Sequence, residues 1–257
     1  MHAVPTSRFI ALPLGMALLA AATVSPAALG SRPAPAARTA HVDFGRSQPS
    51  TNARRLVDAV VATGDNAGAN FIVLDKIAAK VFVFEPGGKL RGWAPALLGL
   101  AKGDDTVPGI GEKKISEIKP EERTTPAGRF VAEFGQSASR GEDVVWVDYD
   151  AAVSMHRVVT SNPKERRLER LATPSAKDNR ISYGCINLPK AFYEKYVGPT
   201  VAHAATVVYV LPETRPLQHV FAFLDADARP RLARQGGSVK SLRAGPPEGV
   251  EMPLIDQ

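Results

Sequence analysis

Apolar positions along the chain fall into three patterns. From residue 9 to residue 30 they are nearly continuous, from 53 to 63 they recur at helical spacing, and from 66 to 213 they form short β-rich runs between turns. Residues 53–63 place Leu56, Val57, Val60 and Val61 on one side of a short amphipathic helix, which Gly64 and the Asn-Ala-Gly after it bring to an end. Residues 71–74 and 81–84 read as strands, with Glu85-Pro86-Gly87-Gly88 as a turn. Residues 89–99 are compatible with another strand. Strands resume at 129–134, 144–149 and 153–159, and 206–211 closes the pattern. Residues 101–122 form a charged loop too long for a simple hairpin connection. Residues 162–179 are strongly charged, with Arg166, Arg167 and Arg170 close together. Residues 189–197 read as a helix with Pro189 in its first turn. No internal repeat is visible. The expected fold is mostly β with a few short helices, centred on one domain at 66–213. A linker and short helix precede it at 31–65. A polar tail follows at 214–257, with one apolar patch at 220–224.

The apolar run near the N-terminus follows Arg8 and gives way to the small residues Ser25-Pro26-Ala27-Ala28-Leu29-Gly30. A short positive region, an apolar stretch and small residues are the parts of a secretory signal peptide, here expected at 1–30 with cleavage after Ala28 or Gly30. The competing reading is a permanent anchor. Pro13 and Gly15 interrupt the run, and its unbroken part is shorter than the ~20 residues a spanning helix needs. Either way the bulk of the chain is expected outside the cytoplasm, in the periplasm or cell envelope, with no stable membrane span once the signal is removed.

Composition changes this picture little. The 257 residues are 44% hydrophobic and 23% charged, enough apolar material for a core, so disorder of the whole chain is excluded. Gly 21 and Pro 21 favour turns and short strands over a helical bundle. The net charge of +6 comes from scattered residues, with no aromatic-basic RNA motif, so nucleic acid is not an expected partner. Oligomeric state is not legible.

Candidate chemistry gathers at the single cysteine, Cys185, which excludes an internal disulfide or a Cys-rich metal site. A buried inert thiol is one reading. The other is a nucleophile: a helix N-terminus just after the cysteine would favour a thiolate, Gly184 would admit a substrate close to the backbone, and neighbouring N–H groups would hold an oxyanion. A thiolate needs a base within hydrogen-bond reach. His41 lies in the linker and His219 in the tail. His156, in the strand-like segment upstream, is the preferred base, and His203 is the alternative. Asp148 and Asp150 are candidates to orient His156, although alternating strand faces explain their spacing equally well.

The run Ser182-Tyr183-Gly184-Cys185-Ile186-Asn187 with upstream His156 resembles the active-site signature of the L,D-transpeptidase catalytic domain, the YkuD family. Thr125-Pro126-Ala127-Gly128-Arg129-Phe130 resembles that family's Thr-Pro-x-Gly-x-Phe segment. The similarity covers roughly residues 71–211. It implies a β-sandwich-like fold, Cys185 as nucleophile and His156 as base. Ser182, Tyr183, Gly184 and Asn187 become oxyanion or supporting residues, and Arg180 a candidate partner for a substrate carboxylate. Two features depart from the pattern: Tyr183 stands where the family usually has a second histidine, and the 29-residue step from His156 to Cys185 is longer than usual. The extra length, with its three arginines, reads either as a substrate-facing lid or as a solvated charged loop.

The resemblance implies a cysteine acyltransferase acting on peptidoglycan stem peptides, in cell-wall biogenesis and cell shape, with no metal and no other cofactor. An L,D-carboxypeptidase or other wall peptidase would use the same chemistry with water as acceptor. A non-catalytic wall-binding protein on the same fold is the reading from a different class.

Overall fold

The computed structural model describes residues 41–137 and 141–225. The expected export signal, the linker up to residue 40 and the tail from residue 226 lie outside the described residues. Helix α1 (Thr51–Thr63) starts where the Ser50 hydroxyl accepts from Ala53 N, and it ends at Gly64 in the left-handed region, φ 69°. Its buried residues are Ala53, Leu56, Val57 and Val60, the stripe expected from the spacing.

Two sheets form the body of the protein. The first has strand order β3-β2-β1-β11-β5, with β1 at Asn70–Asp75, β2 at Lys80–Phe84, β3 at Leu90–Pro95, β5 at Gly128–Val131 and β11 at Thr206–Val210. The second has order β10-β8-β7-β6, with β6 at Glu133–Gln136, β7 at Asp143–Asp148, β8 at Val153–Arg157 and β10 at Ile186–Leu188. A short parallel pair joins β4 (Leu98–Gly99) to β9 (Arg180–Ser182). The architecture is a mostly-β sandwich with a few short helices.

Strands β1, β2 and β11 are continuous apolar runs because both of their faces are buried. Ile72, Leu74, Val81, Val83, Val208 and Val210 pack toward Val145, Val147, Met155, Ile186 and Leu188 of the second sheet. Phe71, Val73, Phe82, Phe84, Val207 and Tyr209 pack on the other side with α1. The first and last strands of the body, β1 and β11, are parallel neighbours, Asn70 opposite Thr206.

Several elements differ from their expected form. Residues 129–134 are not one strand: the chain leaves the first sheet after Val131 and enters the second at Glu133. Strands β9 and β10 were not expected. The apolar packing also runs past 66 and 213, because Val42 and Phe44 from the expected linker, and Leu217 and Phe221 from the expected tail, are core residues beside α1. The long loop at 101–122 carries three 3-10 turns and is pinned at its start. There the fully buried Lys76 ammonium donates to Asp104 Oδ1 at 2.9 Å and to the Thr125 carbonyl at 2.9 Å. Asp104 also accepts from the backbone N–H groups of Glu213, Thr214 and Arg215. Burial opposes the charge on Asp104. The hydrogen bonds from Thr214, Lys76 and the backbone outweigh it and hold the carboxyl well below the usual carboxylate range. Burial lowers the Lys76 pKa.

Candidate active site

Strands β8 and β10 run parallel, with Met155 opposite Ile186, Asn187 opposite His156 and Arg157 opposite Leu188. Side chains alternate across a strand, so Met155, Ile186 and Leu188 enter the sandwich core while Ser154, His156 and Asn187 share the other face. Cys185, immediately before β10, joins them: its Sγ lies 3.7 Å from Ser154 Oγ and 3.6 Å from the Ala152 carbonyl oxygen. Cys185 and His156 are therefore diagonal neighbours in a buried group of four side chains.

The hydrogen bonds assign the protons within this group. His156 Nδ1 is 2.7 Å from the carbonyl oxygen of Arg157. A carbonyl only accepts, so Nδ1 carries a proton. Asn187 Oδ1 accepts from Arg167 Nη1 at 2.7 Å. A guanidinium only donates, so the amide is oriented with Nδ2 toward His156, and Nδ2 lies 3.4 Å from His156 Nε2. The neutral imidazole thus presents its basic nitrogen on the face that carries the thiol. That is the protonation state a general base requires.

The turn before the cysteine is built from its own residues. Ser182 Oγ donates to the Cys185 carbonyl at 2.6 Å and accepts from Gly184 N at 3.2 Å. Thr125 Oγ1 donates to the Gly184 carbonyl at 2.8 Å, which ties the Thr-Pro segment to the cysteine turn.

No family model and no curated protein matches the sequence. Solved structures match the chain at low identity. One is the helical cell shape determining protein Pgp2 from Campylobacter jejuni, 14% identical with a TM-score of 0.37 over 72% of this chain and 66% of that one. Another is an L,D-transpeptidase from Stackebrandtia nassauensis, 15% identical with a TM-score of 0.32 over 65% and 69%. A third is an L,D-transpeptidase from Enterococcus faecium, 16% identical with a TM-score of 0.30 over 56% and 50%. The chain spans about two thirds of the length of the cell shape protein and half of the Enterococcus chain.

The remaining residues singled out in the sequence take other places. Arg180 donates to Glu213 Oε2 at 2.5 Å and to the Lys76 carbonyl at 3.2 Å. It forms an ion pair with Glu213. Gly184 has φ +137°, and a Cβ there would meet the Thr124 carbonyl oxygen at 2.9 Å. The missing side chain lets the Thr124 carbonyl approach closely, and the Gly184 N–H donates to Ser182 Oγ. Tyr183 is half-buried with the Arg123 guanidinium stacked 3.8 Å above its ring. The expected helix dipole at Cys185 is corrected. The extended β10 and Pro189 stand between the thiol and the helical stretch that opens with α3 (Lys190–Phe192), so the helix N-terminus does not adjoin Cys185. Asp148 accepts from Ala151 N in the turn before β8, and the Arg157 carbonyl orients His156 in its stead. His203 ends α4 (Gly198–His203) as an exposed residue.

Three contributors escaped the sequence reading: Ser154, the Arg157 carbonyl and Arg167. Strand alternation around His156 was a usable signal for Ser154. Arg167 heads α2 (Arg167–Ala172) and is buried, bonded to Glu165 as well as Asn187. It is therefore not a solvated residue, whereas Arg166 pairs with Glu169 on the surface.

Proposed function

We propose that the chain is an exported cysteine acyltransferase that acts on peptidoglycan stem peptides by L,D-transpeptidation. The observation that carries this reading is that Cys185, Ser154, His156 and Asn187 gather as one buried group at the β8–β10 pair, with Cys185 Sγ 3.7 Å from Ser154 Oγ and Asn187 Nδ2 3.4 Å from His156 Nε2. The motif around Cys185, Ser182 to Asn187, is the second support.

In this reading the Cys185 proton passes to His156 Nε2, and the thiolate attacks the carbonyl carbon of an L,D amide in a donor stem. The C–N bond breaks, D-alanine leaves with the proton from the imidazolium, and the acyl group remains on Cys185 as a thioester. An acceptor amine then gives a proton to His156 and attacks the thioester. The C–S bond breaks, the new amide forms and the thiol is regained. The Arg157 carbonyl stabilises the imidazolium at each stage through Nδ1–H.

Intact-mass spectrometry of the protein incubated with a stem tetrapeptide tests this. The expected result is an adduct of the donor minus D-alanine, absent in Cys185→Ala and discharged by an added amine. Release of tripeptide without an amine would make water the acceptor and the protein a carboxypeptidase. A folded protein that binds the peptide and never forms an adduct would overturn the reading in favour of a wall-binding protein.

A further inference from the structure

We infer that Arg167 is a positioning residue that acts through Asn187 to hold His156 as a neutral base. This deepens the reading of His156 as the proton acceptor and rests on it.

Asn187 has one accepting end and one donating end, and either can face His156 Nε2. A donating Nδ2 stabilises the neutral ring, because it needs the Nε2 lone pair. An accepting Oδ1 stabilises the imidazolium, because with Nδ1–H already on the Arg157 carbonyl, Nε2 must then also carry a proton. The two amide orientations therefore select between two protonation states of one ring. Arg167 makes the shortest bond that fixes the amide: its guanidinium, 4% exposed, captures Oδ1 at 2.7 Å, which turns Nδ2 toward the ring and the Cys185 carbonyl, each at 3.4 Å. Glu165 Oε2, 2.5 Å from Arg167 Nε, aims the guanidinium and balances its charge. Asn187 meets the ring from β10, and the Arg167–Glu165 pair reaches Asn187 from the charged spacer. Arg157, next on β8, is turned to Asp143 and Glu194. The long step between His156 and Cys185 thus supplies an arginine that sets the state of the base.

Long-range proton–nitrogen spectra of the imidazoles, recorded against pH, test this without any peptide substrate. His156 is assigned by its loss in His156→Gln. In the unaltered protein at pH 7, His156 is expected to show a proton on Nδ1 and none on Nε2. In Arg167→Met combined with Glu165→Gln, which removes the donor and leaves no unpaired carboxylate, the midpoint for protonating Nε2 should rise by about one pH unit or more, the size set by gaining a hydrogen bond to a charged group. Arg167→Lys, which keeps a donor for Oδ1, should restore most of the original midpoint. Asn187→Asp, which places an oxygen against Nε2 whatever Arg167 does, should shift the midpoint upward even if the arginine variant fails to fold. An unchanged His156 midpoint in a folded Arg167→Met/Glu165→Gln protein, or in Asn187→Asp, would overturn the inference. Because the readout is the ring itself, it stands or falls independently of whether stem peptides acylate Cys185.

Discussion

Thr125 Oγ1 donates to the Gly184 carbonyl across 2.8 Å and at the same time accepts from Gly99 N at 2.9 Å. One buried hydroxyl thereby joins the Thr-Pro segment, the short strand β4 and the turn that delivers Cys185. The position of the thiol depends on a contact with a residue 59 positions earlier.

Thr125→Val keeps the volume and removes both hydrogen bonds. Two buried backbone groups lose their partner, each at about 1–3 kcal/mol, so a loss near 2–4 kcal/mol is expected. Urea unfolding of the two proteins measures it. A loss under about 0.5 kcal/mol would mean the hydroxyl does not hold the turn.

Gly184→Ala adds a Cβ where the backbone has φ +137° and the Thr124 carbonyl is 2.9 Å away. Backbone strain of about 1–3 kcal/mol is expected. The turn must also shift to relieve the contact, carrying Cys185 with it. Slower acylation of Cys185, alongside the lower stability, is the expected readout by mass spectrometry. Equal rates in variant and original protein would show that the turn tolerates the methyl in place.

His156→Gln should slow acylation of Cys185 by about 10²–10⁴-fold near pH 7, the usual contribution of a positioned base. Part of the rate should return at high pH, because a free thiol ionises near about 8.5. His203→Ala should acylate like the original protein, since His203 is exposed at the end of α4. The opposite pattern for the two histidines would transfer the role of base to His203.

Asp104→Asn leaves the fully buried Lys76 ammonium facing an amide and the more distant Glu213. Removing one partner of a buried pair typically costs about 3–5 kcal/mol. The folded-state pKa of Asp104 lies below its unfolded value, so its contribution is complete above about pH 4 and is lost as pH falls through the acid range toward the folded value. The stability gap between the two proteins should therefore be widest near neutrality and narrow below about pH 4. Unfolding midpoints recorded from pH 7 down to pH 2 give the comparison. A gap that stays constant to pH 2 would show that the carboxylate is not the stabilising group.

Much of the framework was legible along the chain. The spacing of Leu56, Val57 and Val60 announced α1, and the apolar runs announced β1, β2 and β11. These signals are local: a helix with one buried stripe and a strand with two buried faces each leave a periodic or continuous apolar trace. Cys185 and His156 stood out because the single thiol sits in a motif and one histidine lies on a strand. Strand β10 left no such trace. Its three residues alternate between the core and the site, and three positions make no pattern.

By itself, then, the sequence determined the β-rich character, the helix stripe and the identities of the thiol and the preferred histidine. The tertiary structure decided the partners. Arg167 lies in the charged stretch and Arg180 beside the cysteine motif, and neither position names its partner. One reaches Asn187, 20 positions on, and the other Glu213, 33 positions on. Hydrophobic periodicity records which face of an element is buried. A buried hydrogen bond depends on which distant donor the fold brings within about 3 Å of which acceptor, and no local pattern carries that distance.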